Sequence, residues 1–218
     1  MQLVIAVCIV SAAWSSIAAV VSHCPRQPAK FYIDYDNNTF VKDGQPFRFI
    51  SGSIHYFRVP SIYWKDRLMK IRAAGLNAIE FYVPWNYHEL EPGVYDFDGD
   101  RNVMKFIDLA EACNLSVIVR VGPYTCGEWE NGGLPWWLLK EHDIRMRASD
   151  KRFLEAVRRW LTKLLRMLLA KLVQNGGPIL MLQIENEYGS FDACDLAYTT
   201  WLRDLVHSIV GYETVLVT

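Results

Sequence analysis

Several features that mark other protein classes are scarce or missing in these 218 residues. The formal net charge is only −1, because 23 Lys and Arg nearly balance 24 Asp and Glu. This balance argues against nucleic acid or an anionic membrane surface as a partner. The cysteines show neither C-x-x-C nor the Cys/His spacing of a metal site, and no G-x-G-x-x-G or phosphate loop follows a predicted strand. We therefore expect no metal and no cofactor.

Charge is also absent from the first apolar stretch, Leu3 to Ser22. Its Ala and Ser content favours a secretory signal peptide at residues 1–22 over a single membrane anchor, although Met1-Gln2 supplies no basic residue. No later segment is apolar enough to span a bilayer, so we expect no stable membrane insertion. The sequons at Asn37 and Asn114 predict glycosylation in the secretory pathway.

Aromatic residues are abundant, with eight Trp and eleven Tyr. A pyranose ring presents an apolar face of C–H groups to an aromatic ring, so this excess is compatible with sugar binding. On composition alone, a large core with amphipathic aromatics at its edge is the favoured interpretation.

Residues 23–218 alternate between strand and helix patterns. Five runs read as strands: Phe47–Tyr56, Asn77–Val83, Ser116–Gly122, Ile179–Glu187 and Thr214–Thr218. Four stretches have helical periodicity: Ile62–Ala74, Asn102–Ala112, Lys151–Gln174 and Leu196–Val210. Ser149 or Asp150 can cap the third helix, and Asn175-Gly176-Gly177-Pro178 can stop it. This alternation predicts parallel strands joined by crossover helices.

A doubly wound sheet and a barrel share that pattern, and the missing nucleotide-binding turn favours the (β/α)8 TIM barrel. A complete barrel needs roughly 250 residues. We therefore expect residues 23–218 to form the N-terminal part of a barrel, truncated after about the fifth strand. The chain is then either a fragment or a true short product.

Strand alternation predicts which side chains face the barrel interior. In the fourth strand, Leu180, Leu182 and Ile184 should pack under helices, which leaves Gln183, Glu185 and Glu187 facing inward. Acids are costly inside a barrel unless they are paired or functional. Active sites of barrels form at the C-terminal ends of the strands, where Glu187 lies.

The second and third strands predict an ion pair beside that acid. Alternation puts Glu80, Tyr82 and Arg120 on inward faces of neighbouring strands, so Glu80 and Arg120 should lie within salt-bridge distance. We interpret the pair as structural support for the site. The loop Gly122–Pro135 follows the third strand and holds Glu128 on the same rim as Glu187.

Other polar residues receive structural interpretations. Glu89 and Glu91 are expected to cap a loop or pair at the surface, and His55 to hydrogen-bond within the barrel. Cys126 adjoins the rim but has no neighbouring base that would make it a nucleophile.

Four segments decide the functional hypothesis: Ser51–Pro60, Tyr82–Glu89, Arg120–Glu130 and Gln183–Ser190. They closely resemble the family 35 glycoside hydrolases, in particular the animal lysosomal type. The resemblance runs from about Phe31 to the end of the chain, and four long motifs in the right order make a chance match very improbable.

The resemblance implies a β-galactosidase that hydrolyses terminal non-reducing β-D-galactose residues of glycoconjugates with retention, in the lysosome or outside the cell. It makes Glu187 the general acid/base and makes Tyr82, Glu128 and Asn186 the galactose-binding residues. Alternation would aim Asn186 away from the site, so the strand end must kink or bulge. The partners implied are glycolipid, glycoprotein or oligosaccharide β-galactosides.

The family's nucleophile is a second Glu at the end of the seventh strand, which lies beyond residue 218. Glu185 cannot replace it, because acid and nucleophile must flank the anomeric carbon. The 218 residues alone are therefore expected to be inactive. The alternative is a truncated, galactose-binding or chaperone-like product without turnover. The family also pairs the cysteine matching Cys194 with one further along.

Overall fold

The computed structural model describes residues 28–218. Within that range the strands are β1 (Phe31–Asp34), β2 (Thr39–Lys42), β3 (Gln45–Phe47), β4 (Ser51–Ser53), β5 (Ala78–Tyr82), β6 (Glu89–Glu91), β7 (Val94–Tyr95), β8 (Ser116–Gly122), β9 (Ile179–Ile184) and β10 (Val215–Val217). The α-helices are α1 (Trp64–Ala73), α2 (Trp85–His88), α3 (Val103–Ala112), α4 (Lys151–Leu168) and α5 (Leu196–Val210). The predicted signal peptide lies outside the described residues.

Five of these strands form one parallel sheet in the order β4-β5-β8-β9-β10. Spatial order therefore equals chain order, and α1, α3, α4 and α5 supply the four crossovers. This is the arrangement of the first five strands of a (β/α)8 barrel. The predicted fold class is confirmed.

The outward faces of β5 and β8 build the larger hydrophobic core. Their alternate residues are wholly buried: Ile79, Phe81, Val83, Val117, Val119 and Val121. They pack with buried residues of the crossover helices, among them Trp64, Leu68 and Phe106. Because the opposite faces carry Glu80, Tyr82 and Arg120, the predicted alternation of both strands is correct.

The side chains of strand β9 do not alternate regularly between the two faces of the sheet. Ile179 is the partner of Val117, whereas Met181 is the partner of the next residue, Ile118, so Leu180 is an extra residue in a β-bulge. Leu180 is buried in a second, smaller cluster with Phe31 and not with Leu182 in the larger core. The prediction that Leu180 and Leu182 share a face under the helices is therefore wrong.

The N-terminal region departs from the predicted single strand over 47–56. Phe47 ends an antiparallel sheet of order β1-β2-β3, only Ser51–Ser53 joins the parallel sheet, and Tyr56–Arg58 forms a 3-10 turn. The antiparallel sheet packs Phe31 against Ile118 and Met181. It thereby covers apolar side chains on the inner side of the parallel sheet.

Helix α4 begins where the sequence predicts and ends earlier. The Asp150 side chain caps it by accepting from the backbone N–H of Arg152 at 3.0 Å. The helix ends at Leu168 and not at Gln174, because Leu172 is extended and forms a parallel bridge with the first residue of β9. Within residues 28–218 no helix is both long enough and apolar enough to cross a membrane.

Candidate active site

The predicted site residues follow the carboxyl ends of three neighbouring parallel strands. Tyr82 is the last residue of β5, Glu128 lies in the loop after β8, and Asn186 and Glu187 come just after β9. Parallel strands end at one edge of a sheet, so the four residues share one rim. The fold brings together residues that are up to 105 positions apart in sequence (187 − 82).

Arg120 connects the ends of these strands inside the barrel. Its Nη1 lies 3.2 Å from Glu80 Oε1 and donates to the Tyr82 hydroxyl at 2.7 Å. Its Nη2 donates to Oδ1 of Asn186, and its Cζ lies 4.2 Å from the centroid of the Tyr82 ring. The predicted Glu80–Arg120 ion pair is present, and Arg120 also orients two of the predicted sugar-binding side chains.

Asn186 reaches the barrel interior because the backbone turns before it. Strand β9 ends at Ile184, and Glu185 adopts a left-handed conformation with φ of 60°. The register between β8 and β9 also shifts beside Gly122. The kink that the resemblance required at the strand end is therefore present, and Asn186 is 5% exposed with its amide oxygen on Arg120.

The same turn takes Glu185 out of the barrel. Its carboxylate is bound by Arg147 Nη2 at 2.8 Å and by the Tyr198 hydroxyl at 2.8 Å, and the residue is only 2% exposed. Burial, followed by the neighbouring Glu185 carboxylate, raises the pKa of Tyr198 well above its ordinary value, so Tyr198 keeps its proton and donates. The prediction that Glu185 shares an inner face with Gln183 and Glu187 is wrong.

Glu187 projects into solvent at the end of this segment. It is exposed and left-handed, with φ of 48°. Among residues 28–218 its carboxylate has no hydrogen-bond or ion-pair partner. The backbone alone therefore sets the direction in which the carboxylate points.

The loop after β8 packs against Tyr82. Gly127 has φ of 61°, and a Cβ on it would lie 3.3 Å from the Tyr82 ring. This close approach explains the glycine. Arg58 donates to the carbonyl oxygens of Gly127 and Glu128, the second at 3.4 Å. These contacts hold exposed Glu128, with φ of 47°, beside Tyr82.

His55 lies beside Tyr82. Its ring lies 4.6 Å from the Tyr82 ring, and its Nδ1 is buried without a hydrogen-bond partner among the described residues. The predicted hydrogen bond within the barrel is thus not formed. Burial, then the positive charges of Arg58 and Arg120, lowers the pKa of His55 to about 4. His55 is therefore a neutral ring above that pH.

Glu89 caps a loop as predicted but does so in the core. It is 0% exposed and accepts from the backbone N–H of Gly93 at 2.7 Å and from Trp85 Nε1 at 2.5 Å. Arg159 Nη2 is its ion-pair partner at 3.3 Å. Of the two roles expected for Glu89, the loop cap is present, and the residue stabilises the loop between β5 and α3 from within the core.

Sequence reasoning missed Arg147, Tyr198 and Arg58. Arg147 and Arg58 lie in connecting segments with no periodicity, and Tyr198 is one aromatic on the buried face of α5. Arg58 lies in the motif Ser51–Pro60, but the motif assigns it no role, and the local pattern around Arg147 and Tyr198 does not distinguish them from solvated or core residues. Their partners are 38, 13 and about 70 positions away in sequence, so only the fold brings these pairs together.

The predicted modification sites lie at the surface. Asn37 and Asn114 are both exposed. Cys113, Cys126 and Cys194 form no disulfide within residues 28–218. In the same range, no group of three or more His, Cys, Asp or Glu side chains is arranged to hold a metal ion.

Comparison with curated proteins finds close relatives. The chain is 55% identical over 188 residues to the beta-galactosidase of Bos taurus and 54% identical over 188 residues to that of Homo sapiens. It is 51% identical over 188 residues to the beta-galactosidase-1-like protein of Mus musculus. Each match covers 86% of this chain but only 28–29% of the relative. The chain therefore spans less than a third of the length of these relatives.

Comparison with solved structures supports the fold. An exo-beta-1,4-mannosidase from Opitutaceae bacterium strain TAV5 has a TM-score of 0.60 at 15% identity, over 86% of this chain and 33% of that one. An endocellulase from Pyrococcus horikoshii has a TM-score of 0.55 at 11% identity, over 87% of this chain and 56% of that one. At such low identity these likenesses concern the fold alone.

The family comparison covers the whole site described above. The model of glycosyl hydrolases family 35 matches residues 39–218. This range includes Arg120, the residues to which it is hydrogen-bonded and the kinked end of β9. That match extends over most of the chain and agrees with the curated relatives, so the chain belongs to glycosyl hydrolases family 35.

Proposed function

We propose that this chain supplies the acid/base part of a retaining β-galactosidase, which removes terminal non-reducing β-D-galactose from glycoconjugates. Glu187 protonates the leaving oxygen and then takes a proton from water. The observation that carries the proposal is the kinked end of β9, which brings Asn186 and Glu187 to the rim in a chain 55% identical to a curated beta-galactosidase.

Three further residues are proposed to bind galactose: Tyr82, Glu128 and Asn186. The Tyr82 oxygen accepts from Arg120, so the hydroxyl hydrogen is free to donate to a sugar hydroxyl. Burial raises the pKa of Tyr82, so it keeps that hydrogen at physiological pH. The exposed Glu128 carboxylate supplies acceptor oxygens beside Tyr82.

Retention requires a second carboxylate roughly 5–5.5 Å from the first. Glu185 does not fill that role, because it is buried and already bonded to Arg147 and Tyr198. The nucleophile of the proposed enzyme is therefore a different residue.

The substrates proposed are β-galactoside glycans of glycolipids, glycoproteins or oligosaccharides. We extend the proposal to passage through the secretory pathway, with N-glycans on Asn37 and Asn114 and a lysosomal or extracellular destination. The exposure of both asparagines supports this part. Enzymatic removal of N-glycans should lower the mass of the secreted protein, and substitution of both asparagines by Gln should abolish that change.

The test uses the full-length gene product with an aryl β-D-galactoside and a natural β-galactoside. NMR of the first product should show β-galactose before mutarotation. Glu187→Gln should lower turnover of the natural substrate by roughly 10²–10⁴-fold, and glycosylation by the activated aryl substrate much less. Galactose binding without any hydrolysis by the unaltered protein would contradict the enzyme and support the galactose-binding alternative.

A further inference from the structure

A cluster behind the candidate site holds the end of β9 from outside the barrel. The Glu185 carboxylate accepts from Arg147 Nη2 and from the Tyr198 hydroxyl, both at 2.8 Å. It also accepts from the backbone N–H of Asn186 at 2.9 Å. One buried side chain therefore joins the loop before α4, helix α5 and the strand end.

Arg147 binds the same segment a second time. Its Nη2 donates to the backbone carbonyl of Asn186 at 2.7 Å. Its guanidinium carbon lies 3.9 Å from the centroid of Tyr124 and 4.2 Å from that of Phe191. The Tyr188 hydroxyl donates to the Arg147 carbonyl at 2.8 Å. Arg147 is therefore fixed by two aromatic rings and by the chain that follows the site.

The backbone in this segment needs such support. Glu185 and Glu187 are left-handed, with φ of 60° and 48°, which is unfavourable for residues that carry a Cβ. Asn186 between them is held by Arg120 through its side chain and by Arg147 through its carbonyl. Since the Glu187 carboxylate has no partner among residues 28–218, its direction follows that of the backbone.

From this geometry we propose that Arg147 is a positioning residue that aims Glu187 through the backbone of residues 185–187. The inference rests on the acid/base role proposed for Glu187. A buried ion pair adds little net stability over apolar residues of the same volume, so the effect of the network is conformational. Arginine suits the position because its planar fork binds the Glu185 carboxylate and the Asn186 carbonyl together, which a lysine ammonium does not reproduce.

The test is Arg147→Lys in the full-length gene product, with Arg159→Lys as the matched control. Arg159 also pairs with a buried carboxylate, that of Glu89, and has no hydrogen bond to residues 185–187. The readout is kcat/KM for one β-galactoside with a poor leaving group and one with an activated aryl leaving group. Only the first depends strongly on protonation by the acid.

We expect Arg147→Lys to lower the first value on the order of 10²-fold, the usual cost of a misplaced catalytic group, and the second less than about tenfold. Arg159→Lys should change both values by one small factor. Equal losses on both substrates in Arg147→Lys would mean a structural role only and would overturn the proposal.

Tyr198→Phe is a second test of the proposal in case Arg147→Lys does not fold. It removes one donor from Glu185 without adding charge, so we expect kcat/KM to fall more for the poor-leaving-group substrate than for the activated one, by a smaller factor than in Arg147→Lys. Equal losses of kcat/KM on both substrates would again overturn the proposal. Glu187→Gln is measured in parallel. If Glu187→Gln loses more kcat/KM on the poor-leaving-group substrate than on the activated one while Arg147→Lys and Tyr198→Phe do not, only the positioning role of Arg147 fails. If Glu187→Gln also loses kcat/KM equally on both substrates, the acid/base assignment fails.

Discussion

Strands β5 and β8 pair without any shift of register, whereas β8 and β9 pair with two. The regular strands supply a continuous buried face and, on the other side, Glu80, Tyr82 and Arg120. The irregular strand supplies Asn186 and Glu187, which reach the rim only because the backbone leaves strand geometry at Glu185. Regular pairing here positions Tyr82 and the ion pair beside it, and the departure from regular pairing positions the proposed acid/base.

The largest effect is expected where the two regions meet, at Arg120. Arg120→Met leaves Glu80 without its partner in the barrel interior and releases Tyr82 and Asn186. We expect a loss of about 3–5 kcal/mol in unfolding free energy and a loss of activity on the order of 10²-fold or more, measured by denaturant unfolding and by kcat/KM.

The double variant Arg120→Met/Glu80→Gln separates the two effects. It removes the unpaired charge, so most of the stability should return while activity stays low. If activity returned together with stability, Arg120 would support the fold alone, and the boundary between regular and irregular strands would have no functional meaning.

A smaller effect is expected in the core beside the regular strands, at His88. Its ring is 0% exposed, bonded to the Tyr56 hydroxyl and to the Asp96 carbonyl. Burial lowers the pKa of His88 to about 4 from an ordinary 6.5. The folded pKa is below the unfolded one, so the stability that His88 provides is complete above pH 6.5 and is lost as the pH falls toward 4.

At pH 5 that loss should be about 2 kcal/mol relative to pH 8. His88→Gln is less stable than the parent at pH 8, because bonds and packing are lost, and this deficit should shrink by about the same amount at pH 5. The deficit is measured as the difference in unfolding free energy between the parent and His88→Gln at pH 8 and at pH 5. A deficit that does not change with pH would show that His88 is not buried as a neutral ring.

The smallest effect tests the bulge in β9. Leu180 and Phe31 belong to one cluster, whereas Leu182 belongs to the other. A double-mutant cycle of Leu180→Ala with Phe31→Leu should give a coupling of about 0.5–1 kcal/mol, and the same cycle with Leu182→Ala should give less than about 0.3 kcal/mol. The reverse order would mean that β9 alternates regularly after all.

Alternation predicted β5 and β8 correctly because the two strands pair without a register shift and because Glu80, Tyr82 and Arg120 mark the inward faces unambiguously. It failed at Leu180, since Ile179, Leu180 and Met181 are all apolar and periodicity cannot locate an extra residue among them. It failed at Glu185 because the partner, Arg147, lies 38 residues away in an aperiodic loop. The antiparallel sheet was missed because its strands have only three or four residues each.

The site was predictable only where the sequence signal is local. The motifs that resemble family 35 point to Tyr82, Glu128, Asn186 and Glu187 directly, because each motif is local in sequence. Arg120, which holds Tyr82 and Asn186, was placed in the barrel interior by alternation. Arg147 and Tyr198 make long-range contacts that no local pattern encodes. Two tertiary features did follow from the sequence. The Glu80–Arg120 pair followed from strand alternation, and the kink before Asn186 followed because regular alternation and the family motif disagreed there.

Two glutamates two residues apart give the most direct test of this account. Glu185→Gln and Glu187→Gln should each be incubated, in the full-length gene product and normalised to folded protein, with an activated aryl β-galactoside and azide. Azide needs no general base, so Glu187→Gln should regain turnover and yield β-galactosyl azide, whereas Glu185→Gln should yield none. The account would be contradicted if Glu185→Gln formed β-galactosyl azide. It would also be contradicted if neither variant formed the azide and Glu187→Gln lost rate equally on activated and natural substrates.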